Sequence, residues 1–373
     1  MTDRTGIYIH VPFCLSRCHY CDFCSRVRAD EETKSLYTKR LCREIRDCAA
    51  ALGEQRPFAD TVYFGGGTPT LLSLGQLSEI LETVNDVFKI EDGAEITAET
   101  NPKTADSNKL RGMRDIGINR LSIGMQSVHD NELRALGRIH THADFLTSFK
   151  DARRAGFDNV SADLMYGIPQ QTMNSFEESI KSLTRLSPEH ISSYCLTVED
   201  GTNFARRRER LELPDEDTVS DMYALMTDIL DADGYKKYEI SNFAYNGQVS
   251  RHNLKYWKRE DYLGFGPAAH SFYRGQRYAN SQDVESYLNG KDIRDYSEVI
   301  SFDEAMSEYV MLGMRLTEGI DISEFNRIFG IDFMERYGNT FKRFSPEYVY
   351  IDKKTCRLTD KGMFVSNYIL SEA

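Results

Sequence analysis

The chain has 373 residues, 46 basic against 58 acidic, for a net charge of −12. That length carries one large domain and a smaller one, and the acidic balance gives no global attraction to nucleic acid or anionic membrane, so any such contact would have to be local. No segment reaches the ~18 to 20 uninterrupted apolar residues that span a bilayer, and "MTDRTGIYIHVPFC" lacks a signal-peptide apolar core, so a cytoplasmic protein without a transmembrane segment is expected, peripheral membrane contact being left open.

"GIYIHV" (6–11) reads as a first strand, and it leads into "FCLSRCHYCDFC" (13–24), which holds four of the eight cysteines. In a reducing cytosol, clustered thiols are metal ligands or catalytic groups more often than disulfides. The remaining four, Cys42, Cys48, Cys195 and Cys356, sit among apolar neighbours and read as small buried hydrophobes. Structural zinc usually takes paired knuckles from separated parts of a chain, and ferredoxin spacings complete their cluster with a remote fourth cysteine. Three ligands suit a cubane cluster with one iron left open, and the spacing alone is moderately specific for it.

A helix-like stretch (31–54) separates this loop from a second strand, "DTVYFG" (60–65), which ends on "GGGTP" (65–69). Lack of Cβ atoms there lets the backbone approach a ligand, although a tight turn would explain one or two of the glycines. Further strands, "AEITAE" (94–99), "NRLSIGMQ" (119–126), "NVSADLM" (159–165) and "HISSYCLTV" (190–198), alternate with helices at 73–89, 104–116, 143–156 and 173–186. Six βα units predict an α/β fold, a partial six-stranded parallel (β/α) barrel spanning residues 1–234. The cysteines, the glycines, Glu99, Gln126, Asp163 and Thr197 then fall at the C-terminal strand ends, the active-site face of such barrels.

"FARRRERLELPDED" (204–217) reads as a solvated, charge-rich connection, followed by a helix to about 234. Residues 235–298 show little periodicity and form a connecting region. From 299 to 373, three helix-like segments, a hairpin with a charged turn and a last helix predict a small winged-helix-like domain. Residues 303–373 carry 9 basic against 12 acidic residues, the wrong sign for a duplex-binding surface, so no nucleic-acid partner is expected.

C-x-x-x-C-x-Y-C with GGGTP one βα unit later resembles the radical S-adenosylmethionine superfamily. "IYIHVPFCLSRCHYCDF", "VYFGGGTPTLL", "EITAETNP", "INRLSIGMQS", "LGRIH" and "ADLMYGIPQQT" narrow the resemblance to the family of oxygen-independent coproporphyrinogen III dehydrogenases and HemW haem chaperones, from about residue 6 to the C-terminus. The resemblance implies a 4Fe-4S cluster on Cys14, Cys18 and Cys21, whose unique iron chelates S-adenosylmethionine. It implies that Tyr8 contacts the cofactor, that Tyr20 lies by the adenine and that Gly66, Gly67 and Thr68 form the cradle. Glu99 would take the amino or ribose end. Gln126, Arg138 and Asp163 match residues that bind a second S-adenosylmethionine in the dehydrogenases. Arg138 and Asp163 could otherwise be an ordinary ion pair, and Glu99 a strand-end carboxylate.

Three features separate the branches of that family. The dehydrogenases carry a cysteine two residues after the third ligand, where this chain has Phe23; Cys24 lies one further on and reads as a bystander. They also have a long N-terminal arm, whereas this chain reaches Cys14 almost at once. "HNLKYW" (252–257) matches a motif associated with haem in the chaperones, with His252 as iron ligand and Tyr256 and Trp257 as flat apolar surface. Without the family match, a histidine beside aromatics is a packing residue four times in five. His270 is a weaker second ligand. The expectation is a haem chaperone that passes haem to acceptor proteins, with the dehydrogenase as the alternative; whether the chain is an enzyme is left open.

Overall fold

The computed structural model describes residues 4–291 and 294–373. β1 (Arg4–Val11) enters the cysteine loop, which two short paired segments, β2 (Phe13–Cys14) and β3 (Arg26–Val27), close at its base. α1 (Glu31–Leu52), β4 (Phe58–Gly66), α2 (Leu74–Phe88), β5 (Ile90–Thr100), α3 (Ser107–Asp115) and β6 (Arg120–Gln126) follow. Next come α4 (Asp130–Ala135), α5 (His142–Arg154), β7 (Val160–Tyr166), α6 (Met173–Thr184), β8 (His190–Cys195) and α7 (Glu216–Ala232).

The helices begin where side-chain oxygens meet their orphan amides. Asp30, Asp106 and Asp215 cap α1, α3 and α7, while Ser73, Thr141 and Thr172 form reciprocal capping boxes on α2, α5 and α6. Each helix then lays an apolar stripe on the sheet. On α2 the stripe is Leu77, Ile80, Leu81, Val84 and Phe88, all buried, and each such side chain contributes about 1.5–3 kcal/mol relative to exposure.

β1, β4, β5, β6, β7 and β8 pair in parallel in that order, the six-stranded barrel expected from the sequence. The connecting region does more than connect. β9 (Tyr235–Lys237) and β10 (Asn242–Tyr245) add antiparallel strands beyond β8. After α8 (Arg251–Trp257), β11 (Tyr262–Phe265) joins β1 as a seventh parallel strand. β12 (His270–Tyr273), β13 (Gln276–Asn280), the short α9 (Val284–Leu288) and β14 (Arg294–Val299) finish a sheet of twelve described strands.

The C-terminal domain comprises α10 (Phe302–Gly313), β15 (Ile320–Asp321), α11 (Ile322–Phe329), α12 (Phe333–Arg336), α13 (Gly338–Lys342), β16 (Val349–Ile351), β17 (Thr355–Leu358), α14 (Asp360–Phe364) and α15 (Ser366–Ser371). Its three-stranded sheet, β15-β17-β16, packs on Phe325, Phe333, Tyr337 and Phe341, all buried. The helical stretch over 333–342 is broken at Tyr337 into α12 and α13. Arg259 and Arg277 both donate to Glu308 on α10, at 2.8 and 2.6 Å, tying this domain to the sheet.

Candidate functional site

The loop that carries the cysteines is held from three sides. His10, buried at the end of β1, uses Nε2 on the Cys24 carbonyl (2.9 Å) and Nδ1 on the Tyr8 hydroxyl (3.1 Å). The β4 turn clasps it through Gly67 N to Val11 O (2.9 Å) and Thr68 N to Phe13 O (2.7 Å). The segment after α4 receives His19 N on Leu136 O (2.9 Å), and Phe204 N donates to His19 O at 2.9 Å. The "solvated" charged stretch therefore starts on a buried aromatic that braces the loop, and its arginines follow exposed.

A Cβ on Gly67 would stand 2.6 Å from Phe13 O and 2.8 Å from Val11 O, both backbone atoms that cannot swing aside. Gly67→Ala is therefore expected to destabilise the protein by about 1–3 kcal/mol, read as a lowered thermal midpoint, and to displace Cys14. Gly66 has φ of +101°, and a Cβ there would meet the His10 ring at 2.5 Å.

Cys14, Cys18 and Cys21 line one wall of a cavity of about 510 Å³. Burial raises the Cys14 thiol and pushes Cys21 up to about 11, and the Cys18 charge acts on both. Among the described residues no three His, Cys, Asp or Glu side chains are gathered around a point that could hold one metal ion. The three cysteines line the same cavity and their charges act on one another, which fits a cubane that takes each thiolate on a different iron. Cys24 does not line this wall: its Sγ donates to Gln282 O at 3.2 Å, and burial pushes it up to about 11. Phe23, 58% exposed, stands at the cavity mouth.

The same cavity is lined by Tyr20, Gly66, Gly67, Glu99, Gln126, Arg138 and Asp163. Glu99 accepts from Tyr63 Oη (2.9 Å) and Gly66 N (3.2 Å), and burial, with the Asp163 charge adding to it, raises its carboxyl to about 7. Arg138 and Asp163 are not the ordinary ion pair: Arg138 gives Nη1 to Asn101 Oδ1 and Nη2 to Tyr20 Oη, both at 2.5 Å, and Asp163 accepts from Ser122 Oγ at 2.9 Å. Burial raises the Asp163 carboxyl. Thr68 lies just outside this lining, giving Oγ1 to Cys14 Sγ (3.8 Å) and accepting from Asn101 Nδ2 (2.9 Å). Tyr8 stacks against both Tyr63 and His252, at ring distances of 6.2 and 6.4 Å, and is not among the cavity-lining residues.

These residues fit a cluster-bound amino-acid cofactor. Thiols form one wall, a buried carboxylate faces the space a cation would enter, and at Gly124 a Cβ would come within 2.9 Å of Gln126 Nε2 and 3.0 Å of Asn101 Oδ1. Glycine keeps that space open. Sequence reasoning passed over Tyr63, Asn101, Arg120, Ser192 and Tyr194, which also line the cavity. Period-two alternation was the available signal on β6, where Arg120, Ser122, Gly124 and Gln126 share the interior face. Cys195, expected as a buried hydrophobe, is exposed on this lining, because it is the last residue of β8.

HNLKYW forms α8 under the barrel. His252 is fully buried, with Nδ1 on Thr61 Oγ1 and Nε2 on Tyr256 Oη, each 2.8 Å, and its ring stacks on Tyr63 at 5.2 Å. Burial holds its pKa at about 3, so the ring is neutral. Both nitrogens are engaged, so in this arrangement neither is free to ligate a metal. His252→Ala is expected to lower stability by about 2–4 kcal/mol, measured by denaturant unfolding, since it empties a core site and strands two hydroxyls. Trp257 is half-buried with the Arg315 guanidinium 5.9 Å over its ring, and His270 lies on β12, away from the cavity lining.

Comparison with known proteins gives a consistent picture. The family described as "Radical SAM superfamily" matches residues 8–183, and "HemN C-terminal domain" matches residues 300–365. "Heme chaperone HemW" of Bacillus subtilis (strain 168) is 36% identical over 371 residues, 97% of either chain. The protein of the same name from Lactococcus lactis subsp. lactis (strain IL1403) is 33% identical, covering 98% of this chain and 96% of its own. In fold, the chain is similar to coproporphyrinogen III oxidase (HemN) from Escherichia coli, with a TM-score of 0.86 at 23% identity, covering all of this chain and 90% of that one.

Proposed function

The chain belongs to the radical SAM superfamily and, within it, to the HemN/HemW family, and on that premise we propose that it is a HemW-type haem chaperone. It carries a 4Fe-4S cluster and S-adenosylmethionine, binds haem and hands it to acceptor proteins. The observation that carries this reading is Phe23 at the cavity mouth, where the dehydrogenase branch has a cysteine, while Cys24 turns its thiol to Gln282. Near-full-length identity to proteins named heme chaperones supports it.

Cluster and cofactor, when bound, supply one-electron chemistry at the sulfonium. This chain's residues do the holding. Cys14, Cys18 and Cys21 would hold the cluster, Glu99 would accept from the cofactor's cationic or hydroxyl groups, and Arg138, which donates to Tyr20 and Asn101, would fix those two side chains at the cavity. Haem meets α8 through His252, Tyr256 and Trp257, and His252 ligates iron only once its bonds to Thr61 and Tyr256 break. We read the protein as cytoplasmic, where thiols stay reduced for cluster assembly; no described helix is long and apolar enough to cross a membrane.

The test is anaerobic reconstitution of the full chain, followed by parallel assays. The expected result is a haem Soret band and no consumption of coproporphyrinogen III. Robust turnover to protoporphyrinogen IX would overturn the chaperone reading in favour of the oxidase.

A further inference from the structure

The floor of the barrel holds a buried arginine whose Nε has no hydrogen-bond partner. Arg120, on the interior face of β6, is 2% exposed, lines the cavity, and its Nε is buried without a hydrogen-bond partner. Thr97, its register partner on β5, likewise has a buried hydroxyl without a partner. The histidines and carboxylates nearby have partners. His252 and His190 use both ring nitrogens, the latter on Ser161 and Tyr238 at 2.8 Å each. Glu95, two residues before Thr97, accepts the Arg251 and His252 amides, both at 3.0 Å. Glu99 is taken by Tyr63 and Gly66, and Asp163 by Ser122.

A buried guanidinium nitrogen without a hydrogen-bond partner is unfavourable, and Glu99 and Asp163, on which the Arg120 charge acts, are committed to other donors. The guanidinium's fork of donors matches a carboxylate in two parallel hydrogen bonds. Arg120 stands level with Thr97, two residues or about 7 Å below Glu99, and its charge acts on Glu99 and Asp163, so an anion that pairs its Nε would lie beneath those two carboxylates. Asn253 of the haem-associated helix lines the same cavity.

We propose that Arg120 and Thr97 form a carboxylate-binding subsite at the barrel floor for a second small molecule. That this carboxylate is a propionate of a tetrapyrrole rests on the chaperone reading above; the subsite itself does not.

Two probes separate these claims. Sodium propionate, followed by saturation-transfer NMR on the full-length protein, binds wild type, propionamide does not, and Arg120→Gln weakens propionate by about 10-fold or more. Thr97→Val gives a smaller loss and serves if Arg120→Gln fails to fold, and the propionate–propionamide contrast needs no variant. Equal binding of acid and amide, or unchanged binding in a folded Arg120→Gln protein, overturns the subsite. The second probe is haem against haem dimethyl ester on the reconstituted protein. A preference for the free acid that vanishes in Arg120→Gln supports the propionate assignment. If haem and ester bind alike, or neither binds, while propionate still depends on Arg120, the tetrapyrrole identification falls and the subsite stands.

Discussion

Cys21→Ala is expected to take up no 4Fe-4S cluster on anaerobic reconstitution, and Cys24→Ala to take up as much iron and sulfide as the parent. The two residues are three apart in one loop, yet their thiols face different surroundings. Cys21 shares the cavity wall with Cys14 and Cys18, whereas Cys24 donates its thiol to Gln282 O. What the loop needs from Cys24 is its carbonyl, which His10 engages, and alanine keeps that carbonyl. Changes to groups that merely orient metal ligands cost about 10–100-fold in affinity, so removing one of three ligands costs more. Iron and acid-labile sulfide per chain decide it: a Cys24→Ala protein without cluster, or a Cys21→Ala protein with one, would reassign the ligands.

The parallel strands were readable because each is a local pattern, an apolar run bounded by turn signals and followed by a capped helix. β11 was not. Tyr262–Phe265 is four residues containing a glycine, and its place in the barrel comes from pairing with β1, as Gly6 with Tyr262, from the far end of the chain. The charged run at 204–210 misled in the opposite way. Its arginines are exposed as expected, and the one informative residue, Phe204, is the apolar exception at its head.

At the site, the cysteine and glycine motifs located the wall and the cradle, since their chemistry lies in residue type and spacing. What spacing does not encode is which partner each polar group takes. An ordinary ion pair of Arg138 with Asp163 was the alternative to their cofactor roles, and the structure gives Arg138 to Tyr20 and Asn101 instead. His252 shows the limit most clearly. The motif assigns it to haem, while its burial and two hydrogen bonds assign it to the barrel floor, and both hold only once those bonds break.

Affinity for S-adenosylmethionine is expected to weaken as pH falls from 8 to 6, and Glu99→Gln is expected to abolish that dependence while binding less tightly at pH 8. Burial, with the nearby Asp163 charge, raises the Glu99 carboxyl to about 7, so it is charged at pH 8 and protonated at pH 6. A cationic cofactor stabilises the charged form, and below the raised pKa its binding must first expel a proton. The loss therefore approaches tenfold per pH unit, measurable by equilibrium dialysis. Without ligand the sign reverses. The folded chain holds the Glu99 proton up to about pH 7 and the unfolded chain releases it near its ordinary value of 4.5, so stability falls as pH rises through that window. That strain is worth about 3 kcal/mol, and Glu99→Gln, whose amide still accepts from Tyr63 or Gly66, should relieve it at pH 8 and not at pH 4. A variant that binds the cofactor with the parent's pH profile would show that Glu99 is a strand-end carboxylate and nothing more.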